Sequence, residues 1–471
     1  MRELTEREKV AHLLRRFGLG ASEAEVDYYG ADGIKGAVDM LLDYEAVDEG
    51  FPITLQDFAN NNGNVNIRGL QVWWHLRLLA TRRPLEQKLT VFWHDHFATS
   101  AAKVDVAPPM YDHIETLREN ATGKFLDLLT AVSTDQAMLY WLDNNENVSG
   151  SPNENFAREV MELFTLGVDN GYTEKDVQEA ARAFTGWTFG VGRGGRFRQT
   201  RKPNRNTRFF NVARNHDNGR KTILNRTGNH DGHDVLRILC NEPRTADYIV
   251  TKMWEWFAYE SPDEELVFRL ATKWRKNGLD IKVLVRAIME SEEFYSEKSY
   301  RRLVKNPIDF CLAPLRALGV GRPIIERMQA AEGQGKRRAA GVSRLLMQRS
   351  RSMGMALLFP PDVDGWVSGT QWISTSTMVE RIKYADLIFG QRSRAAVASI
   401  ARGLGPQVAQ TDAVVERLLS IFDAELPPEK IQLLKESAEQ AAGGTISRQN
   451  LQPVLLATTR LIFGSPEFQF S

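Results

Sequence analysis

The chain has 471 residues, of which 42% are hydrophobic and 25% carry a charged side chain. Sixty Lys and Arg residues balance sixty Asp and Glu residues, so the formal net charge is zero. These values are typical of a globular protein and argue against a dedicated nucleic-acid binder, which would carry a large positive charge.

The N-terminal sequence and the cysteine content bear on the cellular compartment. The sequence begins MRELTEREKVAHLLRRFGLG, which is charged from its second residue and does not resemble a signal peptide. No stretch approaches about 18 uninterrupted apolar residues, so we expect no membrane-spanning helix and no membrane partner. Cys240 and Cys311 have neither a second Cys nor a His at zinc-finger spacing, which favours reduced thiols. We therefore predict a cytoplasmic protein.

Helical patterns begin close to the N-terminus. Apolar residues recur at helical spacing and predict a first helix that ends at Gly18. Ser22 and Glu25 have the spacing of a capping box and predict a second helix. Further helices are predicted over residues 34–42 and 70–81.

Pro84 opens the next predicted helix, PLEQKLTVFWHDHFATS. Three apolar residues and His96 recur at i, i+4, i+7 and i+11, so His96 continues the apolar stripe. His94 lies about 200° away around the helix and would not share that direction. Two alternatives follow: the helix unwinds at its end and both imidazoles converge, or only one imidazole is buried.

The stretch from Asn153 onwards, NENFAREVMELFTLG, combines helix-start signals with carboxylates. Ser151 as N-cap and Glu154 as capping acid predict a helix that runs to about Gly167. Thr173 and Asp176 repeat the same device for a second helix.

One polar stripe on the first of these helices contains Asn155, Glu159 and Glu162, next to an apolar stripe. Two carboxylates therefore share a face beside the predicted core. Arg158 lies four residues before Glu162, so a solvated ladder of ion pairs is an equally good interpretation.

Residues 188–233 form a long segment rich in Gly, Arg and Asn, without sustained periodicity. Such a length is unusual for a simple connection and is typical of a functional or disordered loop. Strand patterns are scarce elsewhere. We predict a mainly α fold, a multi-helix array or bundle in one or two lobes, whose long irregular loop carries at most a small β-hairpin.

The histidines suggest metal chemistry. Five of the eight fall in two clusters that also contain Asp: His94, His96, His216, His230 and His233. Neutral imidazoles beside carboxylates are typical ligands of iron, manganese or zinc. If Glu159 and Glu162 approach His94 or His96 across a helix pair, the site would resemble a mixed His/carboxylate centre of a helical bundle. The alternative for His96 is a hydrogen-bonded core histidine.

Several motifs resemble one large bacterial family, catalogued as domain of unknown function eighteen-hundred and recognised by its WHxHF and PNENxAREhhELxTLG motifs. They are WHDHF at 93–97, LDNNENVSGSPNENFAREVMELFTLG at 142–167, YTEKDVQEAARAFTGW at 172–187 and HDNGRKTIL at 216–224. A GNxDG-like segment at 228–232 and an FPPxVxGW-like segment at 359–366 extend the likeness over nearly the whole chain.

The resemblance implies one largely helical module over 1–471, with no established activity. Within it we predict sub-lobes at 1–66 (N-terminal helices), 67–320 (core with the motifs) and 321–471 (C-terminal helices). Members of the family often occur beside a sulfatase-like family, which suggests a sulfatase-like partner protein. Many members are exported, but the sequence here shows no export signal.

Twelve polar residues match the motif positions of the family: His94, His96, Asn153, Glu154, Asn155, Arg158, Glu159, Glu162, His216, Asp217, Lys221 and Asp231. His230 and His233 do not match fixed histidines, so we remove them from the candidate ligands. Phe164 replaces a His that many members carry in ELHTLG, which weakens any mechanism that needs an imidazole there.

Our leading hypothesis is a metal-dependent enzyme, an oxidoreductase or a hydrolase, acting on an unidentified, anionic substrate. The predicted ligands of the divalent metal ion (iron, manganese or zinc) are His94, His96 and His216. The predicted catalytic carboxylates are Glu159, Glu162 and Asp217. The predicted substrate-binding residues are Arg158, Lys221 and Asn155. The alternative is a non-catalytic scaffold or assembly partner whose polar residues form a buried hydrogen-bond network.

Overall fold

The computed structural model describes residues 3–193, 196–390 and 394–471, and its fold is mainly α as predicted. The first helices are α1 (Glu6–Phe17), α2 (Glu23–Tyr29), α3 (Gly33–Leu42), α4 (Ile67–Ala80), α5 (Pro84–His96), α6 (Ala107–Glu119), α7 (Phe125–Ser133) and α8 (Gln136–Trp141). The central helices are α9 (Asn155–Met161), α10 (Glu174–Ala183), α11 (Gly232–Asn241), α12 (Pro243–Phe257), α13 (Glu264–Lys276), α14 (Ile281–Met289), α15 (Pro307–Ala317) and α16 (Gly321–Gln329). The last helices are α17 (Gln334–Ala339), α18 (Gly341–Ser352), α19 (Thr375–Phe389), α20 (Arg394–Leu404), α21 (Thr411–Ile421), α22 (Pro428–Ala442) and α23 (Leu451–Gly464).

The predicted start of α9 was wrong. Ser151 does not cap this helix and instead lies in a turn, where its N–H donates to the carbonyl of Val148 (3.1 Å). The Asn147 side chain accepts from the N–H of Asn153 (3.0 Å), which holds residues 151–153 outside the helix. The helix therefore begins at Asn155 with Glu154 at the N-cap position, three residues later than predicted.

The C-terminal end of α9 widens into a π-helical turn over Glu162–Leu166. The hydroxyl of Thr165 donates to the carbonyl of Val160, five residues earlier (2.6 Å). Gly167 then ends the turn with φ +88°, and a Cβ there would lie 3.0 Å from the ring of Tyr248. Glycine at this position thus permits both the backbone conformation and the close approach of α12.

The predicted irregular loop contains two small antiparallel sheets, more strand than the single hairpin we expected. The strands are β1 (Trp187–Arg193), β2 (Arg196–Gln199), β3 (Arg208–Asn211), β4 (Lys221–Ile223) and β5 (Arg226–Gly228). The first sheet has the order β2-β1-β3, and β4 pairs with β5. Residues 194 and 195, which also belong to the predicted loop, lie outside the described residues.

Two hydrophobic clusters form the interior. The first is built mostly from α1, α3 and α7–α14, and the second from α4, α15, α16 and α18–α23. Helix α5 contributes Leu89 and Phe92 to the first cluster and Val91 to the second, so it lies between them. The division into sub-lobes at residues 67 and 321 stays a prediction. Among the described helices, none has the length and apolar character needed to cross a membrane.

The capping signals give a testable contrast. Thr173 caps α10 reciprocally with Asp176, as predicted, whereas Ser151 caps no helix. Thr173→Ala should therefore lower the free energy of unfolding by about 1 kcal/mol, and Ser151→Ala by less than about 0.5 kcal/mol. Urea unfolding followed by circular dichroism measures both. Equal losses for the two variants would contradict this description of the two helix starts.

Candidate functional site

The last turn of α5 holds the WHDHF motif, and every residue of this helix is buried. Four consecutive side chains of the turn, Trp93, His94, Asp95 and His96, form what we call the α5 junction. Each of them makes a hydrogen bond to a backbone atom outside α5, and the four partners lie in three other segments of the chain. The first of these bonds runs from the indole N–H of Trp93 to the carbonyl of Ala121 (3.0 Å).

His94 faces the second hydrophobic cluster. Its ring lies against Trp74 and Trp366, with centroids 5.3 and 5.4 Å away. Its Nε2 accepts from the N–H of Leu358 (3.2 Å). Because a backbone N–H can only donate, neutral His94 carries its proton on Nδ1. Burial, with a smaller contribution from His113, lowers the pKa of His94 well below its usual value and keeps the ring neutral.

His96 faces the first hydrophobic cluster and has the opposite tautomer. Its Nε2 donates to the carbonyl of Phe164 (3.2 Å), so the lone pair lies on Nδ1, which is buried without a hydrogen-bond partner. Burial, followed by the charge of Lys252, lowers the pKa of His96 well below its usual value. The helix does not unwind, and both imidazoles are buried on opposite sides of it, an arrangement that neither sequence alternative described.

Asp95 attaches the FPPDVDGW segment to the same turn. Its Oδ1 accepts from the N–H of Trp366 (2.7 Å). The preceding Gly365 has φ +92°, and a Cβ there would lie 2.5 Å from Asp95 Oδ1, so only glycine fits. Burial raises the pKa of Asp95 to about 7, although the Trp366 N–H and the charge of Lys252 oppose this shift.

The exposed side of α9 carries the predicted ladder of ion pairs. Arg158 donates to Glu154 (3.3 Å), which precedes α9, to Glu162 (3.1 Å) in the π-helical turn, and to both carboxylate oxygens of Glu174 on α10 (2.9 and 2.7 Å). Asn155 is exposed, and its backbone N–H donates to the side-chain oxygen of Asn153 (3.0 Å). The guanidinium of Arg158 is therefore already committed to three carboxylates.

Glu159 differs from its neighbours because its carboxylate makes no hydrogen bond or ion pair with any residue the structure describes. The side chain is half-buried. Burial, followed by the negative charge of Glu162, raises the pKa of Glu159 to about 7, and Asp364 adds to the effect. A carboxyl group that titrates near neutral pH is suited to proton transfer.

The HDNGRK segment forms a third, separate set of contacts. His216 Nδ1 donates to the carbonyl of Thr185 (2.9 Å). Asp217 accepts two bonds from Arg182 (2.8 and 3.2 Å), and the hydrogen bonds of this guanidinium lower the pKa of Asp217 to about 2. Lys221 is buried and donates to the carbonyls of Asp217 and Gly219 (2.5 and 3.0 Å).

The three predicted metal-binding histidines have no bonding partner in common. His94 bonds to residue 358, His96 to residue 164 and His216 to residue 185. In the described ranges, no group of three or more His, Cys, Asp or Glu side chains is placed to hold a metal ion. His94, His96 and His216 thus bind three different segments, and the metal, catalytic and substrate-binding roles assigned from the sequence stay predictions.

Asparagines of the LDNNEN segment are structural residues that sequence reasoning passed over. Asn144 Nδ2 donates to the carbonyl of Trp187 (3.1 Å), and Asn147 Nδ2 to that of Ala181 (2.9 Å). Both side chains are buried. The resemblance of this segment to a family motif was the available signal, but it did not reveal that the amides bind backbone atoms.

Comparison with known proteins identifies the family. The family model described as "Protein of unknown function (DUF1800)" matches residues 12–470. This match covers nearly the whole chain, so the chain belongs to that family, as its motifs predicted. No curated protein and no solved structure matches it. The comparisons therefore identify the family and supply no activity.

The raised pKa of Asp95 predicts a specific pH dependence. Its folded pKa of about 7 exceeds the ordinary value of 3.8, so the ionised carboxylate destabilises the fold, and wild-type stability falls as pH rises between these values. Asp95→Asn keeps an oxygen to accept from Trp366 and removes the charge. Relative to wild type, this variant should gain roughly 1–4 kcal/mol between about pH 4 and pH 8.

Urea unfolding at a series of pH values measures this difference. The matched control is Asp105→Asn, since the Asp105 carboxylate pairs with Lys202 on the surface (2.8 Å). A difference between Asp95→Asn and wild type that does not change with pH would contradict the buried, proton-binding state of Asp95.

Proposed function

We propose that this member of the DUF1800 family is a non-catalytic scaffold or assembly protein, and that its partner is a sulfatase-like protein. The observation that carries the proposal is the α5 junction, in which four consecutive side chains bond to backbone atoms of three separate segments, around residues 121, 164 and 358–366. The partner is inferred from the resemblance to family members that often occur beside a sulfatase-like family. When the side chains of a motif serve to hold backbone segments by hydrogen bonds, the motif requires specific residue types even though none of them takes part in a reaction.

The contact between His94 and Leu358 illustrates how a motif side chain stabilises the backbone of another segment. Leu358 has a φ of +70°, a conformation that is costly for a residue with a branched side chain. Its N–H donates to His94, and its carbonyl accepts from the N–H of Ala101 (2.8 Å). The two bonds together hold the strained residue in place. Loss of the imidazole would leave a buried N–H unpaired, which costs about 1–3 kcal/mol.

Metal-dependent catalysis, by an oxidoreductase or a hydrolase, is the second candidate function. The observation that favours it is the buried lone pair on His96 Nδ1, together with the unpaired carboxylate of Glu159. His94 does not fit a ligand role, because its acceptor nitrogen is already used by Leu358. Iron, manganese or zinc bound at His96 would act as a Lewis acid or redox centre, and Glu159 would exchange protons with the substrate.

Elemental analysis and an assembly assay separate the two functions. Protein purified without an affinity tag should contain no stoichiometric iron, manganese or zinc, and should co-elute with a sulfatase-like protein in size-exclusion chromatography with light scattering. One metal ion per chain that is lost in His96→Gln would instead favour the enzyme. The matched control is His12→Gln, because His12 is also buried and bonds to a backbone carbonyl, that of Phe294 (2.9 Å), away from the α5 junction.

A further inference from the structure

Two buried imidazoles lie next to each other where α5 packs on α6. His94 belongs to α5 and His113 to α6, and both side chains are 0% exposed. Their ring centroids are 6.1 Å apart, with the ring planes inclined at 67°. Each imidazole has one ring nitrogen that finds no hydrogen-bond partner among the residues the structure describes, Nδ1 of His94 and Nε2 of His113. Because buried polar atoms are nearly always hydrogen-bonded, both nitrogens call for a partner.

The protonation of His94 is determined by its contact with Leu358. Its Nε2 lies 3.2 Å from the backbone N–H of Leu358, which can only donate. Burial lowers the pKa of His94 well below its usual value, so the ring is neutral and has a single N–H. That N–H is therefore at Nδ1. The unpaired nitrogen of His94 is a hydrogen-bond donor.

The tautomer of His113 follows from a different neighbour. Its Nδ1 lies 3.2 Å from Oδ1 of Asp135, the N-cap residue of α8. The same oxygen accepts from the backbone N–H groups of Ala137 (2.9 Å) and Met138 (3.0 Å), so it acts as an acceptor. Nδ1 of His113 therefore carries the proton, and Nε2 of the neutral ring has the lone pair. The unpaired nitrogen of His113 is a hydrogen-bond acceptor.

The two unpaired nitrogens are complementary, although nothing links the contacts that determine them. They make no direct bond to each other. Two hydrogen bonds of about 2.9 Å that share one oxygen atom can join nitrogens up to about 5.8 Å apart, which suits rings at this separation. The indole N–H of Trp74 is a further buried donor without a partner in the described chain, and its ring centroid lies 5.3 Å from that of His94.

These groups select a small neutral ligand that both accepts and donates. A metal ion would need a lone pair on Nδ1 of His94, where the proton is. An anion would face the lone pair of His113. A water molecule can accept from His94 and donate to His113, and its second lone pair can accept from Trp74. Buried waters typically make about three hydrogen bonds to groups that the protein leaves unpaired.

We propose that a water molecule is bound between His94 and His113, where it accepts from Nδ1–H of His94 and donates to Nε2 of His113. The water completes a chain of hydrogen bonds from the N–H of Leu358 through both imidazoles to the carboxylate of Asp135. This chain connects the α5 junction to α6 and to the start of α8. The site is independent of whether the protein is a scaffold or an enzyme.

A high-resolution crystal structure of the full chain and NMR of the ring nitrogens test the proposal. The crystal should show one ordered water within about 3.2 Å of both nitrogens. In solution at about pH 8, above the ordinary pKa of histidine, long-range ¹H–¹⁵N correlations should find the proton of both rings on Nδ1. No density between the rings, a direct N–H···N bond between them, or a proton on Nε2 of either ring would overturn the proposal.

Two variants sharpen the crystallographic test. His113→Phe keeps an aromatic ring and removes the acceptor, so the water should be lost. The matched control is His12→Phe, because His12 is also buried among aromatic rings, 4.6 Å from that of Phe294, but lies on α1. This control should keep the water. A water that stays in place in His113→Phe would count against the site. If that variant does not fold, the wild-type density and the ring tautomers decide.

Discussion

The structure depends on the last turn of α5, which lies between two hydrophobic clusters and whose polar side chains all find hydrogen-bond partners in other segments. The helix is buried on every side, so each polar side chain in that turn needs a partner from another segment. His94 and Asp95 take theirs from residues 358 and 366, and His96 takes its partner from residue 164. The turn thereby fixes the C-terminal FPPDVDGW segment and the π-helical end of α9 relative to each other.

Burial also determines which charges the interior tolerates. The pKa values of both imidazoles are lowered by burial, and the pKa of Asp95 is raised, so the α5 junction approaches electrical neutrality. The charged residues of the neighbouring motifs lie nearer the surface, where Arg158 and Arg182 pair with carboxylates. Ionisable motif residues thus serve as neutral hydrogen-bonding groups inside and as ion pairs outside.

Much of the fold followed from local signals. The sequence predicted features that depend on residues close to one another in the chain. They are the capping boxes of α2 and α10, the mainly α content and the position of His96 on an apolar stripe. The start of α9 and the short strands were missed, since an asparagine side chain and strand pairing override the local preference there. The contacts of the α5 junction were harder to predict from the sequence than the fold. The bond from Leu358 to His94 joins residues 264 positions apart, so no local pattern could reveal that a backbone N–H occupies this imidazole.

Hydrogen exchange at the Leu358 amide tests the structural role of the α5 junction most directly. If His94 holds this N–H in the interior, exchange in the wild type should be as slow as in the buried helices, and in His94→Leu it should be at least about tenfold faster. Amides of distant helices such as α22 should be unchanged. A Leu358 amide that exchanges in the wild type as rapidly as an exposed loop would contradict the account.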